Sequence, residues 1–95
     1  MGSTPEGAVK RAVKSYLDKI GVWHFSPVSN GMGAHGIPDI IACWRGRFVG
    51  IEVKAPGKRA NTSELQKMQL ASIAHNQGIA VVVDDVSQLV PIFQE

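Results

Sequence analysis

Gly36 to Lys54 reads GIPDIIACWRGRFVGIEVK, and the fold turns on how its two apolar halves pair. Asp39 to Trp44 and Arg47 to Lys54 are strand-like runs joined at Arg45-Gly46. Strand side chains alternate between faces, so Phe48, Gly50, Glu52 and Lys54 share one face while Val49, Ile51 and Val53 line the other. A tight hairpin centred on Arg45-Gly46 sets Trp44 opposite Arg47, Ile41 opposite Gly50 and Asp39 opposite Glu52. An odd-length loop with Gly46 in a bulge would slip this register and put the two acids on opposite faces.

In the tight register two carboxylates meet across the ladder, repelling by roughly 4 kcal/mol at 4 Å and an effective dielectric of 20. Lys54 supplies one positive charge on the same face, which leaves an excess of negative charge. Hard oxygen ligands on a rigid strand pair suit Mg²⁺ or Mn²⁺, so a divalent cation is the expected neutraliser.

Outside this stretch the chain leaves room for one module. Its 95 residues are 44% hydrophobic and 19% charged, enough for a single core and thus one domain over 1–95. Ten Lys+Arg against eight Asp+Glu permit nucleic-acid binding without demanding it, because clustering matters more than the total. The single cysteine, Cys43, lies inside an apolar strand, reads as a small core residue and fits a reducing, cytoplasmic setting. No apolar run approaches membrane-spanning length and the N-terminus has no secretion signal, so no membrane partner is expected.

The first helix is expected from about Thr4 or Pro5 to Ile20, with Val9, Val13, Tyr16, Leu17 and Ile20 as one apolar stripe and Gly21 as its stop. Glu6 lies on that stripe. It is either the acid of a Ser3-x-x-Glu6 capping box or a core-facing group able to reach the metal region. Val22 to Val28 is the next strand, its far end demoted by Pro27, and His24 on it has no partner at metal spacing. The loop SNGMGAHG, 29–36, matches neither a phosphate loop nor a dinucleotide fingerprint. It is either a long hairpin turn or, beside a metal site, a place where Ser29, Asn30 and His35 contact a phosphodiester.

After Lys54 the loop APGKRANT carries Lys58 and Arg59, a solvated pair or a grip on a nucleic-acid backbone. A second helix is expected from about Ser63 to Gln77, with Leu70, Ile73 and Ala74 facing the core and Met68 and Ala71 off that stripe, available for a subunit contact. Gln66 sits in the middle of the core stripe, either closing a Ser63-x-x-Gln66 cap or facing the metal site from above. Ile79 to Val83 suits a buried strand beside the hairpin, and Asp84-Asp85 cap a short last helix that Pro91 limits. The order α-β-β-β-α-β describes an α/β fold, a small mixed β-sheet flanked by helices.

Pro38-Asp39 followed by Glu52-Val53-Lys54 resembles the core motif of the PD-(D/E)XK nucleases. Gly36-x-Pro38-Asp39, GIEVK, the Ser63-x-x-Gln66 helix and the GIAVVV strand more closely resemble the VRR-NUC family, which occurs alone in phages and bacteria or at the end of larger repair nucleases. The resemblance implies a restriction-endonuclease-like core in which Asp39, Glu52, the Val53 carbonyl and Glu6 bind Mg²⁺ or Mn²⁺. It further implies that Lys54 orients water or steadies the phosphate charge and that Gln66 helps place water or backbone, in a bacterial or phage-infected cytoplasm.

A single module without a recognition helix is poorly equipped to read sequence, so branched or junction-containing DNA is the expected substrate. Two symmetric cuts need two sites, and likeness to stand-alone members and junction resolvases implies a homodimer acting on four-way (Holliday) junctions. The alternatives are a flap or nicking nuclease of a repair complex, a non-catalytic nucleic-acid-binding module of the same fold, and a small structural domain with Glu52 and Lys54 as an ion pair.

Overall fold

Each element begins and ends where local chemistry dictates. The computed structural model describes residues 4–28 and 35–94. Pro5 occupies the first turn of α1 (Pro5–Lys19), and the Thr4 hydroxyl caps it by accepting from the Gly7 N–H at 2.9 Å. The cap is thus Thr4, which makes Glu6 a first-turn acid and not the closing residue of a capping box. Val9, Val13 and Leu17, four residues apart, are the buried face of α1.

The three-residue strand β1 (Trp23–Phe25) pairs antiparallel with β2 (Ile40–Trp44), which pairs antiparallel with β3 (Arg47–Val53). Arg45 (φ 52°) and Gly46 (φ 81°) both adopt positive φ, the signature of a type I′ turn whose twist matches the strands it joins. This selects the tight register: Trp44 opposes Arg47 and Ile41 opposes Gly50. A 3₁₀ turn (Arg59–Asn61) leads to α2 (Glu64–His75), and β4 (Ile79–Val83) returns parallel to β3. The described strands form one mixed sheet in the order β1-β2-β3-β4, and a second 3₁₀ turn (Val86–Leu89) stands where the last helix was expected.

The two faces of this sheet differ. Val9, Val13 and Leu17 of α1 pack with Ile40, Ala42, Val49, Ile51, Val53, Val83 and Leu89 into one buried cluster. The opposite face, bearing Ile41, Cys43, Phe48, Gly50 and Glu52, receives α2. Gly50 makes that approach possible, since a Cβ there would stand 2.8 Å from Ile73 Cδ1 and 3.0 Å from Pro38 Cγ. Leu70 and Ile73 are half-buried as the stripe requires, whereas Ala74 is exposed.

Cys43 is also exposed, contrary to its expected core position. It lies on the α2 side of β2, where α2 contacts β3 and β4 and leaves the β1 end of the sheet uncovered. His24, given no role from sequence, shares a 2.7 Å contact between its Nε2 and Asp18 Oδ1, tying β1 to the last turns of α1. Among the described residues, no helix is long and apolar enough to cross a membrane.

Candidate functional site

Extending the β2–β3 ladder one rung past Ile40–Ile51 sets Asp39 against Glu52. Asp39 Oδ2 accepts from the Val53 N–H at 2.9 Å, so its carboxylate is latched to the backbone of the neighbouring strand. Glu52 is only 2% exposed, although its partners leave one oxygen unsatisfied. Oε2 accepts from Gln66 Nε2 at 2.8 Å and lies 3.6 Å from Lys54 Nζ, while Oε1 is buried with no hydrogen-bond partner. A buried carboxylate oxygen without a donor is costly, because its desolvation is not offset.

Gln66 closes its cap and reaches Lys54 and Glu52 with the same amide. Its Oε1 accepts from the Ser63 N–H at 2.9 Å and from Lys54 Nζ at 3.0 Å, while Ser63 Oγ accepts from the Gln66 N–H at 3.2 Å. One amide therefore closes the capping box of α2 and bridges Lys54 to Glu52. The start of α2 is fixed to the site by the same bonds that start the helix.

Burial, reinforced by the Asp39 charge and only partly opposed by Lys54, pushes the Glu52 carboxyl up to about 7. Two acids and one ammonium leave a site that holds a proton near neutrality and would release it to a cation. The donor set fits a hard divalent ion: two carboxylates on adjacent strands, one with an orphaned buried oxygen, beside the Val53 backbone.

Glu6 is not brought to this pair. It points along the buried stripe of α1 but precedes Val9, the first residue of that helix to be buried, and is exposed. The helix also packs on the face opposite the one from which Glu52 projects. Among the described residues, no three His, Cys, Asp or Glu side chains converge as a metal cluster. The expectation that Glu6 is a fourth ligand is corrected to that of an acid favoured at a helix N-terminus.

Ser29 and Asn30 lie outside the described residues. His35 is exposed, and its carbonyl accepts from Gln69 Nε2 at 3.2 Å, which docks its backbone on α2 one turn beyond Gln66. Gly36 follows at φ +78°, where a Cβ would meet the Leu65 carbonyl at 2.6 Å. Gly36→Ala is therefore expected to cost about 2 kcal/mol or more, since both the conformation and the contact with helix backbone exclude a side chain. A urea unfolding curve gives the value.

Lys58 and Arg59 are exposed, but Arg59 Nε lies 3.8 Å from Asp84 Oδ1. Asp84 also accepts from the Gly57 N–H at 2.8 Å and from Gln88 Nε2 at 2.6 Å. The Gly57 bond, with that of Gln88, holds its carboxyl below the usual aspartate range. Asp84 thus clamps the basic loop to the end of β4. Sequence reading missed this and paired Asp84 with Asp85 as a cap; Asp85 alone caps, its side chain accepting from the Ser87 N–H at 2.9 Å. Asp84→Ala is expected to speed amide hydrogen exchange at Gly57.

No family model matches this chain. Nor does any curated protein or solved structure.

Proposed function

We propose that this chain is a metal-dependent endonuclease that hydrolyses phosphodiester bonds in branched DNA, acting as a homodimer on four-way junctions. The observation that carries this reading is the buried Glu52, paired with Asp39, held by Gln66 and Lys54, and left with one oxygen unsatisfied. A purely structural ion pair has no use for a second opposed acid or an orphaned oxygen.

Asp39, Glu52 and the Val53 carbonyl would hold Mg²⁺ or Mn²⁺. When bound, the ion lowers the pKa of a coordinated water and polarises the scissile phosphate. Asp39 is held in place by the Val53 N–H and Glu52 by the Gln66 amide, so the ligands are pre-organised by backbone and cap. Lys54, anchored at Gln66 Oε1, places its ammonium beside Glu52, where it orients the attacking water and faces the charge that grows on the phosphate. The water oxygen bonds to phosphorus and gives up a proton to solvent, the bond to the leaving sugar oxygen breaks, and that oxygen takes up a proton from solvent. Lys58 and Arg59, just beyond Lys54 in the chain, contact the backbone of the same substrate.

The test is cleavage of a labelled panel of four-way junction, flap, splayed arm, duplex and single strand with Mg²⁺, Mn²⁺ or EDTA. Symmetric metal-dependent nicks in the junction, with a dimer in sedimentation, support the full reading. Flap or unselective cutting keeps the nuclease and discards the resolvase. Absence of cutting, with metal-independent DNA binding, moves the chain to the binding-module class.

A further inference from the structure

The sheet ends at β4, whose far side pairs with no other described strand. The Lys54 N–H donates to the Val83 carbonyl at 2.9 Å, so Val83 turns its backbone groups toward β3. A period of two turns Val81 and Ile79 the same way, and Ala80 and Val82 outward. The outward amides at the two ends of the strand are closed. The Gly78 N–H donates to the Ile73 carbonyl at 2.9 Å, and the Asp84 N–H donates to Gln88 Oε1 at 2.9 Å. Between them the outward N–H and C=O groups of Ala80 and Val82 have no partner among the described residues. Edge strands are commonly blunted by a charge, a proline or a bulge, and IAVVV in its unbroken register has none of these.

This pattern fits a second copy of itself. In an antiparallel pair centred on Val81, Ala80 of each copy opposes Val82 of the other, and each such pair exchanges two hydrogen bonds. Every open group of the edge is then used. Further out, Asp84 opposes Gly78 and Asp85 opposes Gln77, so no like charges meet.

Helix α2 favours a whole copy over a lone strand. Its Gln69 bonds the His35 carbonyl and its Leu65 backbone abuts Gly36, so that flank faces β2. Lys67, Ala71 and Ala74 occupy the opposite flank, on the outer side of β4, and are exposed. Gln66 bonds Glu52, which is level with Val82, and Ile73 reaches Gly50, which is level with Ala80. Val81 is thus level with the middle of α2. A two-fold axis there sets the second α2 antiparallel to the first on the same face of the joined sheet. Because α2 contacts both β3 and β4, strands about 4.8 Å apart put the two helix axes about 10 Å apart, a normal helix-packing distance. Ala74 then lies beside Lys67 of the second copy. A lone added strand would leave this flank of α2 uncovered.

We infer that β4 joins a second copy of this chain edge to edge, giving one continuous sheet across a two-fold axis at Val81, with the outer flanks of α2 packed over the joint. This rests on the homodimer reading and gives it a surface. The axis is perpendicular to the sheet, so both pairs of Asp39 and Glu52 open on the same face, where one branched substrate can lie across them.

The test is amide hydrogen exchange together with sedimentation over a range of protein concentrations. Wild type is expected to form a dimer in which the Ala80 and Val82 amides are protected, and to lose that protection on dilution to monomer. Ala80→Pro removes an outward donor from each copy and spares the ladder, whose bonds to β3 come from Ile79, Val81 and Val83. It is expected to raise the dimer Kd about tenfold or more. Ala74→Lys sets like charges side by side at the joint and should also weaken the dimer, whereas Ala74→Glu, beside Lys67, should retain it. Ala74 is exposed, and thermal melting checks the fold of each variant. Should Ala80→Pro fail to fold, the contrast between the two Ala74 variants decides. A monomeric wild type overturns the edge. So does a dimer whose Ala80 and Val82 amides exchange as quickly as exposed ones, or one that tolerates Ala80→Pro and Ala74→Lys alike. None of these readouts involves DNA, so failure of cleavage in the panel above, with the protected dimer intact, would refute the nuclease and leave the interface standing.

Discussion

Asp39→Asn is expected to lower metal-dependent cleavage by at least about a thousandfold while leaving the fold intact. The amide oxygen can still accept the Val53 N–H that Asp39 Oδ2 now takes at 2.9 Å, so the link between the strands survives. What disappears is the negative charge that opposes Glu52 and helps to hold a divalent ion. Loss of that charge also removes one of the causes that raise the Glu52 carboxyl, whose titration should move down toward the ordinary glutamate range. Asp39→Ala is a different experiment: it strands a backbone N–H as well and adds a stability loss of about 1–3 kcal/mol. Retention of full metal-dependent cleavage by Asp39→Asn, in a single-turnover assay, would remove Asp39 from the site. Lys54→Ala checks the other half of the network, because it removes the ammonium held by Gln66 without touching a carboxylate.

The second large effect is on stability. Without metal, burial and the Asp39 charge push Glu52 up to about 7 in the folded protein, from an ordinary glutamate value of 4.5. The folded state therefore binds the proton more tightly than the unfolded state does. Its contribution is fully present below about pH 4.5 and is lost as pH rises through 7, an expected decline of about 3 kcal/mol when only Glu52 is counted. Most acidic groups behave in the opposite way. Urea melts in EDTA between pH 4.5 and 8 should show this decline superimposed on the other titrations, and Glu52→Gln should remove it. Mg²⁺ or Mn²⁺ requires the deprotonated carboxylate, so added metal should stabilise the protein more at pH 8 than at pH 5. At a concentration of 100 times Kd the gain is about 2.7 kcal/mol. A melting temperature indifferent to both ions at pH 8 would point to an ion pair and not a metal site.

The hairpin was legible because every determinant is local. A two-residue Arg45-Gly46 turn and a period of two fix which residues oppose one another, and so bring Asp39 to Glu52 before any packing is considered. Gln66 was legible in part: the Ser63-x-x-Gln66 spacing specifies the cap, and its place on the core stripe specifies the direction. That one amide satisfies Ser63, Lys54 and Glu52 together depends on how far α2 sits above β3.

Periodicity misled at Glu6, because a helical stripe gives an angle around the axis and says nothing of where the helix overhangs the sheet or which face it covers. Cys43, Trp23 and Phe48 posed the same problem for strands. Alternation placed Cys43 and Phe48 on one face, but only the lateral position of α2, over β3 and β4, left the other end of that face bare. Asp84 was beyond reach for a third reason. Its partner Gly57 is 27 residues away, and a contact between loops leaves no period in the sequence.

By itself the sequence determined the element order and the acids that meet if the central hairpin is tight, since these follow from backbone geometry over a few residues, and the type I′ turn at Arg45-Gly46 then selected that register. The tertiary structure decided which face α1 and α2 cover, that Glu52 is buried with an oxygen unsatisfied, and that Trp23 and Phe48 stay exposed. Burial and the electrostatics that depend on it arise from chain segments far apart in sequence, and no local pattern encodes their distance.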